Sequence, residues 1–177
     1  MNFRWISDRI LTEISSILNQ ADEEKVLKLV EAILSSERIF LTGLGRSGLV
    51  ARSFAIRLMH LGFKVLIVGE VTTPAIKKGD LLVAISGSGE TAIVKHIVSK
   101  AKELGAVIFL ITSKTNTSIG EISDQVLILP EIEKPVLPLK SAFEAVTYIL
   151  LDATIVMIMQ KTGVTSQEMM ERHSNLE

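Results

Sequence analysis

The segment of this sequence richest in groups that bind anions is Ser86-Gly87-Ser88-Gly89-Glu90-Thr91. It follows an apolar run and precedes a helical pattern, so its backbone N–H groups and its three hydroxyls lie at the positive end of a helix dipole. That combination suits a phosphate monoester. A simple helix-capping turn is the alternative, because serine and threonine are common at N-caps. The density of donors favours phosphate binding.

A second loop of the same kind is Gly43-Leu44-Gly45-Arg46-Ser47-Gly48. It also lies between an apolar run and a helical pattern, which is where ligands bind in open α/β sheets. Its third glycine is misplaced for a dinucleotide fingerprint, no acidic residue ends the second strand, and the P-loop lysine is absent. Dinucleotides and nucleoside triphosphates are therefore not expected. Arg46 is a candidate for contacting phosphate or a developing negative charge, or it forms a plain surface ion pair.

Composition excludes several other kinds of chemistry. The chain has no cysteine, 19 basic and 20 acidic side chains, a formal net charge of −1, and 5% aromatic residues. Thiol catalysis, nucleic-acid binding and attraction to an anionic membrane are not expected from these values. The three histidines, His60, His96 and His173, lie on different elements without a partner at metal-ligand spacing. We expect no metal and no cofactor.

Alternating apolar runs and helical patterns predict the fold class. The predicted strands are 38–42, 64–68, 80–85, 106–112 and 125–129, with helices between them and two amphipathic helices before them. The strands are continuously apolar, as in parallel sheets covered on both faces. We expect an α/β three-layer sandwich with a five-stranded parallel sheet flanked by helices, of flavodoxin-like type. Asp22 is predicted to cap the second helix, and Gly62 to end the third.

The length fits a single domain, 1–177, with an N-terminal helical segment (1–36), an α/β core (37–161) and a C-terminal helix and tail (162–177). The helix predicted at 141–161 is apolar nearly all round. Its most apolar stretch, 144–160, is interrupted by Asp152 and falls short of the roughly 18 residues of a membrane span. We therefore expect a buried helix, either central or in a subunit interface, and favour the interface and a homo-oligomer.

Together the two loops resemble the ligand loops of SIS (sugar isomerase) domains. Three further stretches are similar to 6-phospho-3-hexuloisomerases, and the resemblance covers essentially the whole chain. They are Arg57-Leu58-Met59-His60-Leu61-Gly62-Phe63, Thr72-Thr73-Pro74-Ala75-Ile76 and Arg172-His173-Ser174-Asn175-Leu176-Glu177. One departure is Lys140, which stands where the related enzymes tend to have glycine and so bears on the geometry of that loop.

The resemblance implies interconversion of 3-hexulose 6-phosphate and fructose 6-phosphate, in formaldehyde assimilation or pentose phosphate supply. That reaction needs a base to move a proton between neighbouring carbons through an enediol, and Glu144 is the candidate. His173, or else His60, is the candidate proton shuttle; His96 is assigned to a solvated helix face. Glu90 is expected to be a helix-start carboxylate rather than a second base. The expected substrate-binding residues are Gly45, Arg46, Ser47, Ser86, Gly87, Ser88, Gly89, Glu90 and Thr91.

Two other functions remain open at this stage. One is isomerisation of another phosphosugar, such as an arabinose or heptulose phosphate; the other is a non-catalytic module that binds sugar phosphates. Retention of Glu144, and the lack of room for a fused DNA-binding domain, disfavour the second. The charged first nine residues show no export signal. We expect a cytoplasmic enzyme, a homotetramer, with a phosphosugar substrate and neither nucleic acid nor membrane as a partner.

Overall fold

The computed structural model describes residues 2–176 and contains one five-stranded parallel sheet. The strands are β1 (Ile39–Thr42), β2 (Val65–Ile67), β3 (Leu81–Ile85), β4 (Val107–Thr112) and β5 (Gln125–Ile128). Their spatial order is β2-β1-β3-β4-β5, and every neighbouring pair is parallel. The predicted fold class is confirmed. The strands are one or two residues shorter than predicted because the regular ladder ends before the apolar pattern does.

The helices of the described chain cover both faces of this sheet. They are α1 (Phe3–Leu18), α2 (Glu23–Ser35), α3 (Arg46–His60), α4 (Ala92–Glu103), α5 (Ala142–Thr162) and α6 (Ser166–Glu171). The larger apolar core lies between the sheet and α1, α2, α3 and α5, and a smaller core lies under α4. Asp22 caps α2 by accepting from two backbone N–H groups, and Gly62 follows the end of α3 with φ 95°, both as predicted.

The longest helix, α5, packs against α1, α2 and α3. The sequence stretch 138–162 is, by length and composition alone, apolar enough to cross a membrane, so the expectation that it is too short was wrong. Half of its most apolar 18 residues are buried inside the protein, as in the core helix of a globular fold. Its outer side still exposes Tyr148, Ile149 and Val156. This helix is therefore central, with an apolar strip left at the surface.

The amino ends of the central strands are joined by an ion pair. Asp80 precedes β3, is fully buried, and accepts hydrogen bonds from Arg38 Nε (2.9 Å) and Nη2 (2.6 Å) and from the backbone N–H of Lys77 (2.7 Å). Burial raises the pKa of Asp80, but the bonds from Arg38 and Lys77 outweigh it and leave that pKa below its ordinary value. The pair holds β1, β3 and the turn before β3 together.

Candidate active site

The loop after β1 approaches its own helix very closely. A Cβ atom added to Gly48 would lie 2.7 Å from the carbonyl oxygen of Gly43, and Gly45 has φ 57°. These glycines let the chain turn directly into α3, which begins at Arg46. Ser47 is buried in the first turn of α3. The first N–H groups of a helix have no partner within it, so this turn presents donors at the carboxyl end of β1.

The loop after β3 lies at the same edge of the sheet because β3 is the neighbour of β1. Ser86 is buried, with its Oγ 3.2 Å from Oγ1 of Thr91, and Ser88 Oγ accepts from the backbone N–H of Glu90 (3.2 Å). Thr91 occupies the N-cap of α4 without a capping bond from its hydroxyl. The hydroxyl of Thr91 is therefore paired with that of Ser86 and does not cap α4.

Glu90 is fixed by a neighbouring loop instead of by the helix start. Its two carboxylate oxygens accept from the hydroxyl and the backbone N–H of Ser118, both at 2.6 Å. These two bonds, the hydroxyl's first, lower the pKa of Glu90 below its ordinary value. A carboxylate held ionised and already paired is a poor proton acceptor. The expected contact with the start of α4 is replaced by this link between loops.

Glu144 lies in the first turn of α5 and faces Arg46 across the edge of the sheet. Arg46 Nε lies 3.2 Å from Oε2 of Glu144, whose side chain is 18% exposed, and Arg46 Nη2 donates to the carbonyl oxygen of Leu139 at 2.8 Å. The guanidinium therefore connects the loop after β1 with both the catalytic candidate and the turn before it. Sequence reasoning singled out both members of this pair but did not predict that they touch.

Arg46, Ser88 and Glu144 border one cleft with a volume of about 510 Å³. The loop after β4 and the segment before α5 complete its wall, and sequence reasoning missed most of these residues. The lining residues are Arg46, Gly87, Ser88, Glu90, Ser113, Lys114, Thr115, Asn116, Thr117, Glu131, Leu139, Lys140, Phe143 and Glu144. The loop after β4 could have been predicted to line the site, because it follows a parallel strand at the same edge of the sheet.

Glu131 forms ion pairs with both lysines of the cleft. Its carboxylate lies 2.8 Å from Nζ of Lys114, 2.8 Å from Nζ of Lys140 and 3.1 Å from the hydroxyl of Ser113. The two lysines, Lys114 first, hold the pKa of Glu131 at about 2. Lys140 and Leu139 both have positive φ, 59° and 55°. The backbone at Lys140 thus has a conformation that glycine adopts without strain. The lysine side chain places a cation at this position.

The histidines lie elsewhere in the chain. His60 ends α3 and stacks on His173, with ring centroids 5.1 Å apart. Arg46 and His60 are the two ends of α3, a helix of 15 residues, so about 21 Å separates them along its axis. Burial, then the charges of His173 and Arg57, lower the pKa of His60. Neither His60 nor His173 lines the cleft, and His96 is exposed on α4.

Residues 2–176 contain no group of three or more His, Cys, Asp or Glu side chains placed to hold a metal ion. The cleft instead offers hydroxyls, backbone N–H groups, three cations and three carboxylates. Glu90 is held by Ser118 and Glu131 by two lysines, whereas Glu144 pairs with Arg46 alone. This set of groups suits an anionic ligand with hydroxyl groups, and a proton transfer by Glu144.

Comparison with known proteins agrees with this chemistry. A model of the SIS domain matches residues 32–157, and the chain belongs to the SIS domain family. Within that family it is similar to proteins named 3-hexulose-6-phosphate isomerase. The one from Bacillus subtilis is 40% identical over 95% of each chain, and the one from Methanocaldococcus jannaschii is 38% identical over 97% of this chain and 94% of its own.

A crystal structure from Methanococcus jannaschii, for which a 3-hexulose-6-phosphate isomerase function was inferred, superposes with a TM-score of 0.88 at 38% identity. It covers 96% of this chain and 98% of that one. The fold and nearly the whole length of the chain are therefore shared with these relatives.

Proposed function

We propose that this protein is a 6-phospho-3-hexuloisomerase, which interconverts 3-hexulose 6-phosphate and fructose 6-phosphate without a metal or cofactor. The observation that carries the proposal is the meeting of Glu144, Arg46 and the Ser88 loop in one cleft. The relatives of that name match nearly the whole chain. The proposal includes a cytoplasmic location and a role in formaldehyde assimilation or pentose phosphate supply.

The phosphate of the sugar is bound by the two loops at the carboxyl edge of the sheet. Hydroxyls of Ser47, Ser86, Ser88 and Thr91, together with the N–H groups that begin α3 and α4, donate to its oxygens. Gly45, Gly87 and Gly89 allow the backbone to approach the ligand closely, as the φ of 64° at Gly89 illustrates. Glu90 contributes by holding the loop to Ser118 instead of by touching the phosphate.

Glu144 acts as the base. Its carboxylate takes the proton from C2 of the 3-hexulose, leaving a 2,3-enediol, and returns a proton to C3; the carbonyl then stands at C2. The hydroxyl proton on O2 must leave while O3 gains one. Arg46, hydrogen-bonded to Glu144, stabilises negative charge on the enediolate oxygens. One carboxylate serves both carbons because they are adjacent.

His173 or His60 serves as the shuttle for the hydroxyl protons, and it does so in the cleft of another subunit. Within one subunit α3 separates this pair from Arg46, so only an oligomer can bring them together. Exposed apolar side chains along α3 and α5 supply the surface for it: Leu49, Ile56, Met59, Tyr148, Ile149 and Val156. A homotetramer is the expected form, and elution at monomer mass at low micromolar concentration would contradict this arrangement.

Glu144→Gln tests the mechanism. The amide keeps the shape of the side chain but cannot take a proton, so kcat should fall about 10²–10⁴-fold while fructose 6-phosphate binds within several-fold of the parent. In deuterated water the parent should place solvent deuterium on the carbons flanking the moving carbonyl, and the variant should not. Glu121→Gln, at an exposed carboxylate, is the matched control and should behave as the parent.

Four outcomes would redirect the proposal. Turnover and exchange retained in Glu144→Gln would assign the base to another residue, with His173 the first to test. Loss of binding along with turnover would make Glu144 structural. A panel of phosphosugars followed by proton NMR separates the substrates: turnover of an arabinose or heptulose phosphate alone would change the assignment, and turnover of none would favour a sugar-phosphate-binding module.

A further inference from the structure

Glu13 is a charged residue in the apolar core beneath the active-site cleft. It lies on α1, its side chain is 3% exposed, and it lines a cavity of about 230 Å³ that shares Glu131, Lys140 and Phe143 with the cleft. Burying a carboxylate this deeply is costly unless it is paired or hydrogen-bonded. Its Oε1 is buried without a hydrogen-bond partner among the described residues, so only the contacts of Oε2 offset this cost.

Those contacts go to the proline-containing segment that leads into α5. Glu13 Oε2 accepts from the backbone N–H of Val136 at 2.5 Å and of Leu137 at 3.3 Å. Among residues 2–176, backbone N–H groups between Glu131 and Leu137 donate hydrogen bonds only at these two positions. The segment 131–137 belongs to no helix or strand, and its backbone is thus anchored by the Glu13 side chain, more than 120 positions away in sequence.

From this anchor a short series of contacts reaches the proposed base. Two residues beyond Leu137, the carbonyl oxygen of Leu139 accepts from Arg46 Nη2 at 2.8 Å, and Arg46 Nε lies 3.2 Å from Glu144. Leu139 has φ 55°, a conformation that leucine adopts only when its surroundings impose it. A fixed segment at 136–137 is such a constraint, because it sets where the strained turn begins.

We infer that Glu13 is a positioning residue for the isomerisation: it fixes the turn whose Leu139 carbonyl aligns Arg46 with Glu144. The inference rests on the proposed function. The phosphate-binding loops follow β1 and β3 and are built without Glu13, so the anchor should act on proton transfer and hardly on binding. A misplacement of about 1 Å in a reacting group can cost on the order of 10²-fold in rate.

The test compares Glu13→Ala with Glu13→Gln. The alanine variant removes the acceptor, and kcat should fall roughly 10- to 100-fold with KM within about threefold of the parent. The glutamine variant keeps one carbonyl oxygen for the two N–H groups and should recover kcat to within about threefold. Equal loss in both variants, or a loss carried by KM, would overturn the inference.

A double-mutant cycle with Arg46→Ala separates positioning from general destabilisation. If Glu13 acts through Arg46, its removal should change kcat less than twofold once Arg46 is gone, whereas independent effects would multiply. Multiplying effects would contradict the inference.

Hydrogen exchange at the Ser141 amide, which donates to the carbonyl of Pro138 in the same turn, provides a readout that needs no turnover. Exchange there should rise at least about tenfold in Glu13→Ala, in proportion to the opened population of the turn, and unchanged protection would refute the inference. An inactive parent would refute the proposed function and leave this measurement decisive for Glu13.

Discussion

Replacing Asp80 by asparagine should lower the melting temperature by about 6–12 °C and leave kcat and KM near those of the parent. The asparagine side chain has almost the same shape but no charge, so the three hydrogen bonds from Arg38 and Lys77 lose their ionic partner. Breaking a buried pair costs about 3–5 kcal/mol. The lower figure applies because the Arg38 side chain is 17% exposed and asparagine keeps an acceptor. For a chain of this length, about 3 kcal/mol corresponds to that shift in melting temperature.

Thermal unfolding followed by circular dichroism measures the effect, and Glu37→Gln provides the control. Glu37 pairs with Lys77 at 3.5 Å, but both side chains are more than half exposed, so its loss should cost below about 0.5 kcal/mol. The pKa of Asp80 is depressed in the folded state, so its stabilisation is present above the unfolded pKa of about 3.9 and disappears as pH falls through the folded value. The parent and Asp80→Asn should converge at acidic pH. Equal melting temperatures at pH 7 would refute the reasoning.

Three further perturbations address the cleft. Ser88→Ala should raise KM more than it lowers kcat, because a phosphate contact persists from ground state to transition state. One hydrogen bond to a charged group is worth about 1.5–3 kcal/mol, and steady-state kinetics would measure the loss. Prolonged dialysis against EDTA should leave turnover intact, and a loss restored by a divalent ion would contradict a metal-free mechanism. Lys140→Gly should raise thermal stability slightly, because relief of the positive φ outweighs one exposed ion pair with Glu131; a fall of several degrees would show the pair to be the larger effect.

The sheet could be predicted from the sequence because its signal is local. The first four strands are mainly apolar runs followed within two residues by glycine or serine, and β5 is followed by Leu129 and Pro130, so element type and order are visible in short windows. The two loops after β1 and β3 were predicted to be ligand loops for the same reason. Arg46 and Glu144 were identified singly, from residue type and resemblance.

What the sequence could not predict are contacts between segments far apart in the chain. Nothing local indicates that Glu131 gathers Lys114 and Lys140, or that a glutamate on the first helix anchors residues 136 and 137. These contacts depend on the directions in which side chains point once the helices have packed. The periodicity of the sequence carries no information about those directions. The stacking of His60 on His173 is another such long-range contact, and both histidines lie outside the cleft that Glu144 borders.

The residues at the amino ends of the strands stabilise the fold, whereas those at the carboxyl ends form the candidate active site. At the amino edge, the fully buried Asp80 pairs with Arg38, whose side chain is 17% exposed, and removal of this pair should alter folding alone. At the carboxyl edge the ladders end, and backbone N–H groups and hydroxyls border a cleft whose three cations are already paired with Glu144 and Glu131. A substrate phosphate gains most where donors are not yet satisfied by the protein itself. Variants of Asp80 should therefore lower the melting temperature and leave kcat and KM unchanged. Variants of Ser88 should change KM and leave the melting temperature unchanged. If the active site lay at the amino edge, the two sets of variants would show the opposite effects.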